Sequence, residues 1–232
     1  MNTLYIIGSP IGNLEDLSFR ALRSLKEVDL ILCEDTRVTK KLLDDYQIKT
    51  PALSYHQHSK LKKVEEVLQL LKEGKNLALV SDAGTPGISD PGNKLIEEVI
   101  KRLSNKVKIV PIPGPSAVTA AASISGFPMD KFIFMGFPPT KRKRKKFFEE
   151  IVESKYPVIF YESPYRIIKT LKELSTLFVQ IRGNSREIVV CRELTKKFET
   201  IYRGKIEEVI EKINPPAGGE IKGEFVVIVE RK

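Results

Sequence analysis

The sequence predicts an α/β fold of two domains, each alternating strands with amphipathic helices. Short apolar runs of the buried-strand type recur at residues 4–7, 28–33, 77–80 and 107–110. Between them, apolar residues repeat at helical spacing, as in Leu61, Val64, Leu68 and Leu71. The segment Pro111-Ile112-Pro113-Gly114-Pro115 then punctuates the middle of the chain and sets the expected domains at 1–112 and 113–232.

The first strand, 4–7, runs into a Gly/Pro loop. Ser18 reads as a helix N-cap, with Leu17 and Leu22 at the two hydrophobic-staple positions. The strand at 28–33 leads through a charged turn into a helix over 36–46, and a short strand follows near Leu53. The helix over 60–73 ends at Gly74 as its C′ residue. After the strand at 77–80 comes a twelve-residue Gly/Pro loop, 81–92. Asp90-Pro91 reads as an N-cap with proline at N1, opening a helix that carries Leu95, Ile96, Val99, Ile100 and Leu103. The strand at 107–110 closes the first domain, and this alternation predicts a doubly wound parallel sheet.

The second half predicts a small-residue helix over 116–125 and strands at 132–135, 158–161 and 188–190. Ser163-Pro164 reads as a second cap-plus-proline start, for a helix with Ile167, Ile168, Leu171 and Leu174. A last helix over 206–213 precedes the terminal strand 225–229.

With 232 residues, 41% of them hydrophobic, the chain has material for one large or two small cores. That composition excludes a disordered tail, a collagen and a coiled coil. No stretch reaches the roughly 18 apolar residues of a membrane span. The N-terminus enters its first apolar run without a basic region, so no signal peptide and a cytoplasmic location are expected. Cys33 and Cys191 form no CxxC and read as small buried hydrophobes. Lys plus Arg number 39 against 30 acidic residues, a net +9 that suits polyanionic partners, RNA above all. Lysine-rich surfaces also occur in proteins from hot environments without such a partner.

Ligands of open α/β sheets bind beyond the carboxyl ends of strands, so the loops there carry the functional reading. Gly8-Ser9-Pro10-Ile11-Gly12-Asn13 is not GxGxxG, and Pro10 removes an amide; it suits either close approach of a flat ligand or an ordinary tight turn. Glu34-Asp35-Thr36-Arg37 groups two carboxylates and a guanidinium. Such a cluster abstracts a proton, binds ribose or clamps phosphate, or is simply a helix start complementing its dipole. The loop 81–92 exceeds the two to six residues of a simple connection, roughly, and favours binding. Gly114-Pro115-Ser116-Ala117 offers amides without intrahelical partners behind small side chains, which also suit close helix packing. Lys141-Arg142-Lys143-Arg144-Lys145-Lys146 is a run of six cations that predicts phosphate contacts. His56 and His58 have no accompanying ligand cluster, so no metal site is expected.

Taken together, several motifs resemble one family. They are Ser9-Pro10-Ile11-Gly12-Asn13-Leu14 with Arg20-Ala21-Leu22, Glu34-Asp35-Thr36-Arg37, the loop 81–92, residues 113–117, Gly136-Phe137-Pro138, and Glu162-Ser163-Pro164-Tyr165-Arg166. In order and content they look like the ribosomal RNA small subunit methyltransferase I family of the tetrapyrrole methylase superfamily, across residues 4 to about 230. Family members often continue past the last strand, whereas this sequence ends at Lys232.

The resemblance implies a tetrapyrrole-methylase-like fold with a mostly parallel N-terminal sheet, a mixed C-terminal sheet and a cofactor cleft between domains. It implies S-adenosylmethionine (SAM) as cofactor, a homodimer, and 2′-O-methylation of a cytidine ribose in 16S rRNA near the decoding centre, on free RNA or the small ribosomal subunit. Matching positions place the SAM pocket at Ile11, Gly84, Thr85, Pro86, Ile88, Ser116, Ala117, Tyr161, Glu162, Leu194 and Gly223. Glu34 and Asp35 are the candidate catalytic residues. Arg37, the cations 141–146 and Arg166 are the candidate RNA contacts. Two other readings remain: a small-molecule methylase of the same superfamily, and a non-catalytic RNA-binding module. The first leaves the cation run without a purpose, and the second leaves the loops at 81–92 and 113–117 without one.

Overall fold

The computed structural model describes residues 2–55, 61–90, 92–183, 185–214 and 219–231. It divides into two units, Met1–Ser116 and Ala117–Lys232, so the break follows Ser116, where the sequence set it after residue 112. His56 and His58 lie outside the described residues.

The first unit runs β1 (Asn2–Ile7), a 3-10 turn (Leu14–Asp16), α1 (Phe19–Glu27), β2 (Leu30–Cys33), α2 (Thr36–Asp45), β3 (Ala52–Ser54), α3 (Leu61–Lys72), β4 (Leu77–Leu79), α4 (Asn93–Leu103) and β5 (Val107–Ile112). All five strands are parallel, in the order β3-β2-β4-β1-β5. The period-2 alternation of strand side chains sorts the core into two halves. Leu4, Ile6, Leu32, Leu77 and Leu79 pack with Val64, Leu68, Leu71, Leu95 and Val99 of α3 and α4. Ile7, Ile31, Cys33 and Ala78 pack with Ala21, Leu25, Leu42 and Leu43 of α1 and α2. Helices on both faces make the sheet doubly wound.

That winding locates the ligand edge. From β1 the chain crosses through α1 to β2 on one side, whereas from β4 it crosses through α4 to β5 on the other. β1 and β4 are neighbours, so their carboxyl ends form the topological switch point.

Local signals explain most element boundaries. The Ser18 hydroxyl accepts the Ala21 N–H at 3.1 Å, with Leu17 buried and Leu22 partly buried as the staple requires. Gly74 ends α3 at a φ of +101°, as its C′ role demands. The start of α4 corrects the sequence reading: Gly92, not Asp90, is the N-cap, at φ +139° and without a side-chain cap. A Cβ at Gly92 would stand 2.9 Å from Leu79 Cδ2, so only glycine brings the chain into this helix so close to the sheet.

The second unit runs α5 (Ala117–Ile124), β6 (Ile133–Phe134), α6 (Arg144–Glu153), β7 (Val158–Glu162), α7 (Ile167–Arg182), β8 (Glu187–Arg192), β9 (Thr200–Lys205), α8 (Ile206–Ile213) and β10 (Phe225–Val229). Its sheet is mixed, in the order β6-β7-β10-β8-β9, with β6 parallel to β7 and every other pair antiparallel. Phe160, Val190, Phe225 and Val227 face Phe148, Leu171, Phe178 and Val209 of α6–α8. α5 packs on β7 and β10 and buries Val118, Ala121 and Ala122, where small side chains permit close approach.

Two expectations change here. α7 begins at Ile167: the Ser163 carbonyl accepts the N–H groups of both Arg166 and Ile167, so Ser163-Pro164 opens a turn that leads into the helix. The unexpected strand β9 is an edge strand of intermediate and exposed residues, without the apolar run that marks its neighbours. Cys33 and Cys191 are buried thiols, and burial pushes Cys191 up to about 11. No helix among the described residues is long and apolar enough to cross a membrane.

Candidate functional site

At the switch point the loops after β1, β4 and β5 are stitched together by main-chain contacts. The Ser9 N–H donates to the Gly84 carbonyl at 2.8 Å, and the Gly84 N–H returns a bond to the Ser9 carbonyl at 3.1 Å. The Ser9 hydroxyl donates to the Ser81 carbonyl at 3.1 Å. The Gly8 N–H donates to the Ile112 carbonyl at 3.0 Å, bringing Gly8 against Gly114. A Cβ on Gly114 would sit 2.5 Å from the Gly8 carbonyl oxygen, so both glycines serve a backbone-to-backbone approach. The Thr85 hydroxyl donates to the Pro115 carbonyl at 3.4 Å.

Gly84 has φ +77°, and a Cβ there would lie 3.4 Å from Ile11 Cγ2 and 3.7 Å from the Pro115 carbonyl oxygen. Ile11, Gly84, Thr85 and the start of 115–116 are therefore brought together. Pro86 is buried nearby in sequence, whereas Ile88 is 46% exposed.

The acidic turn resolves differently for its two carboxylates. Asp35 is the N-cap of α2: its carboxylate accepts the Arg37 N–H at 2.8 Å and pairs with the Arg37 guanidinium at 2.6 Å. That side-chain hydrogen bond, then the backbone one, holds its carboxyl down to about 2. So strongly acidic a group is a poor proton acceptor near neutrality; here Asp35 caps the helix and holds Arg37. Its N–H donates to Asp82 Oδ1 at 3.0 Å, linking the loops after β2 and β4. Glu34 is half-buried beside it.

Sequence reasoning read Asp90 only as a cap. The loop instead folds it into a half-buried position, where burial first and the charges of Glu34 and Asp82 next raise it to about 6. A raised carboxyl costs stability above its folded value, and the cost fades as pH falls from about 6 toward the unfolded value of 3.8. Asp90→Asn should therefore stabilise the protein by on the order of 1 kcal/mol at pH 8, discounted for partial solvation. Urea titrations at pH 8 and pH 4.5 check this; an equal gain at both would disprove the titration.

In the second unit, two arginines expected to meet RNA serve the fold. Arg144, the fourth of the six cations, is buried: Nε donates to Glu173 at 2.8 Å, Nη2 to the Thr170 hydroxyl at 2.7 Å and Nη1 to the Pro139 carbonyl at 3.1 Å. Its guanidinium lies 4.8 Å from the Phe148 ring centroid. Arg166 pairs with Glu162 at 2.8 Å and donates to the Pro138 carbonyl at 3.1 Å. Glu162 has a fully buried side chain that also accepts the Thr170 hydroxyl at 2.6 Å and the Ser163 N–H at 2.7 Å. Both of its oxygens are thus engaged inside the unit. Lys141, Arg142, Lys143, Lys145 and Lys146 are exposed, and Arg37 is exposed but paired with Asp35.

Leu194 lies between two non-glycine residues in left-handed backbone, Glu193 at φ +54° and Thr195 at φ +66°. Such strain costs on the order of 1 kcal/mol per residue and gathers at functional sites. Gly223 permits the arrangement, since a Cβ there would stand 2.6 Å from Glu193 Cγ. The Thr195 hydroxyl is buried and has no hydrogen-bond partner among the described residues. No sequence signal marks Thr195, because the strain comes from the packing around it. No group of three or more His, Cys, Asp or Glu among the described residues is arranged to hold a metal ion.

Residues 3–210 match the family model of the Tetrapyrrole (Corrin/Porphyrin) Methylases. The chain is 44% identical over 235 residues to the ribosomal RNA small subunit methyltransferase I of Thermotoga maritima, covering 100% of each. It is 46% identical over 229 residues to the same-named protein of Halalkalibacterium halodurans, covering 98% of this chain and 75% of the relative. Among solved structures it resembles the methyltransferase CobJ at TM-score 0.69 and 17% identity, covering 100% of this chain and 95% of that one. It also resembles diphthine synthase at TM-score 0.68 and 12% identity, covering 99% and 90%. These last two likenesses concern the fold alone.

Proposed function

The chain belongs to the ribosomal RNA small subunit methyltransferase I family within the tetrapyrrole methylases, and on that premise we propose that it methylates the 2′-oxygen of a cytidine ribose in 16S rRNA near the decoding centre. It is a SAM-dependent methyltransferase with small-subunit rRNA as its substrate. The observation that carries the reading is the meeting of three loops at the switch point, through the paired Ser9–Gly84 bonds and the Gly8–Gly114 approach.

The residues present fit this cofactor. In the first unit the backbone at Gly84 is bare beside Ile11, which leaves room for close approach of a ligand. We assign cofactor contacts in the first unit to Ile11, Gly84, Thr85, Pro86, Ile88 and Ser116. In the second they fall to Ala117, Tyr161, Leu194 and Gly223, with Glu162 confined to its main chain. When bound, SAM supplies an electrophilic methyl on a sulfonium. The chain has to hold the ribose hydroxyl in line and accept its proton. Glu34 is the proposed acceptor, since Asp35 is held by Arg37. Arg37, exposed beside Asp35, is the proposed phosphate contact. On the family premise we further propose a homodimer acting in the cytoplasm.

RNA binding is assigned to Lys141, Arg142, Lys143, Lys145 and Lys146. Changing Lys141, Arg142 and Lys143 to Gln should weaken binding of small-subunit rRNA. Each lost phosphate contact should flatten the log–log salt dependence by about 0.7–0.9. SAM affinity by calorimetry and the melting temperature should hardly move, because these side chains are exposed. An unchanged salt slope would make the run an ordinary solvated face.

A further inference from the structure

We propose that Phe137 and Tyr165 form a stacking platform for unpaired rRNA bases, held in place by Arg166 and Arg144. The proposal rests on the rRNA reading above and deepens it.

Two large aromatic side chains stand out of the second unit: Phe137 is 53% exposed and Tyr165 is 92% exposed. They sit on the loops that follow β6 and β7, which are parallel neighbours, so both loops leave the same edge of the sheet. Arg166 joins those loops. Its Nη1 donates to the Pro138 carbonyl beside Phe137, while Nε and Nη2 engage Ser163 and Glu162 on the strand and turn leading to Tyr165. Arg144 holds the neighbouring Pro139 carbonyl from inside the fold. A buried guanidinium and a half-buried one on successive carbonyls leave the Phe137 loop little freedom. One side of the Phe137 ring is braced by Tyr161 at 5.3 Å, which is braced in turn by Phe134 at 5.0 Å.

The exposed face of a ring on a rigid loop adds nothing to folding, but it lowers the entropy cost of binding a flat partner. The surroundings select which partner. Exposed Lys141, Arg142, Lys143 and Lys169 flank these loops, and residues 136–146 contain no acid. Aromatic faces beside a cationic strip are the chemistry that binds single-stranded RNA, where bases stack and phosphates pair. A second copy of the chain would bring the same positive charge against itself.

The test uses Phe137→Ala, Tyr165→Ala and the double variant, with Phe137→Tyr and Tyr165→Phe as ring-preserving controls. Methyl transfer is measured on small subunits lacking this modification, and binding by fluorescence quenching of a 2-aminopurine-labelled single-stranded RNA. Each alanine should raise KM for the subunit roughly tenfold to a hundredfold and abolish part of the quenching. The controls should stay near wild type. SAM affinity of Tyr165→Ala, and the sedimentation mass and salt slope of every variant, should be unchanged, since no phosphate contact is lost. Tyr165→Ala, so exposed, tests the idea even if Phe137→Ala unfolds. An unmoved KM and quenching would overturn the platform. So would weakened SAM binding by Tyr165→Ala, which would turn the rings toward the cofactor, or a change of mass, which would turn them toward a second copy. A wild-type protein that quenches the RNA yet methylates no subunit would instead refute the rRNA reading and leave the platform standing.

Discussion

Glu162→Ala is expected to destabilise the second unit by about 3–5 kcal/mol, the range for breaking a buried ion pair from one side. The fully buried carboxylate accepts from Arg166, Thr170 and the Ser163 N–H, and Arg144 shares the same Thr170 hydroxyl. Removing it strands a guanidinium that is only 26% exposed and takes away the acceptor of Thr170. Arg166 retains some access to water, so the lower half of the range applies. Urea unfolding followed by circular dichroism measures it. A loss under about 1 kcal/mol would show that the network is not what holds the turn at 163–166.

The second large effect is expected at the switch point. Gly114→Ala places a Cβ 2.5 Å from the Gly8 carbonyl oxygen and 2.8 Å from its carbon, both backbone atoms that cannot swing aside. The loops after β1 and β5 must then separate, which costs roughly 1–3 kcal/mol of stability. The site built on their contact should lose SAM affinity about a hundredfold, equivalent to ~2.7 kcal/mol. Gly74→Ala is the control: its φ is +101°, yet a Cβ there meets nothing within 4 Å. It should lose stability from backbone strain while calorimetry shows unchanged SAM affinity. Gly84→Val is a less clean probe than crowding alone suggests, because φ +77° strains a β-branched residue before any ligand arrives.

What the sequence made legible was local. Ser18 announces its cap by type and spacing, and α8 and β10 announce themselves by apolar pattern. The rich loops were also visible, because long Gly/Pro connections after buried strands have few purely structural uses. What escaped depends on partners distant in sequence. Arg144 sits among five other cations and reads as a phosphate contact, yet Lys143 at φ +65° starts α6 so that Arg144 turns inward to Thr170 and Glu173. Asp90 and Asp35 depart from their sequence readings through the folding of their own loops. One loop folds back on itself to bury a carboxylate, while the other carboxylate finds Arg37 two residues on. β9 was invisible because an edge strand needs pairing with β8 more than an apolar run.

The central claim is methyl transfer from SAM to one ribose of small-subunit rRNA. The most direct measurement incubates the purified protein with methyl-labelled SAM and small subunits lacking the modification, then maps the label by nuclease digestion and mass spectrometry. The account predicts one labelled 2′-O-methylcytidine, near the decoding centre. Label on a base, label in a different RNA, or no transfer by a protein that binds both SAM and the subunit would contradict it.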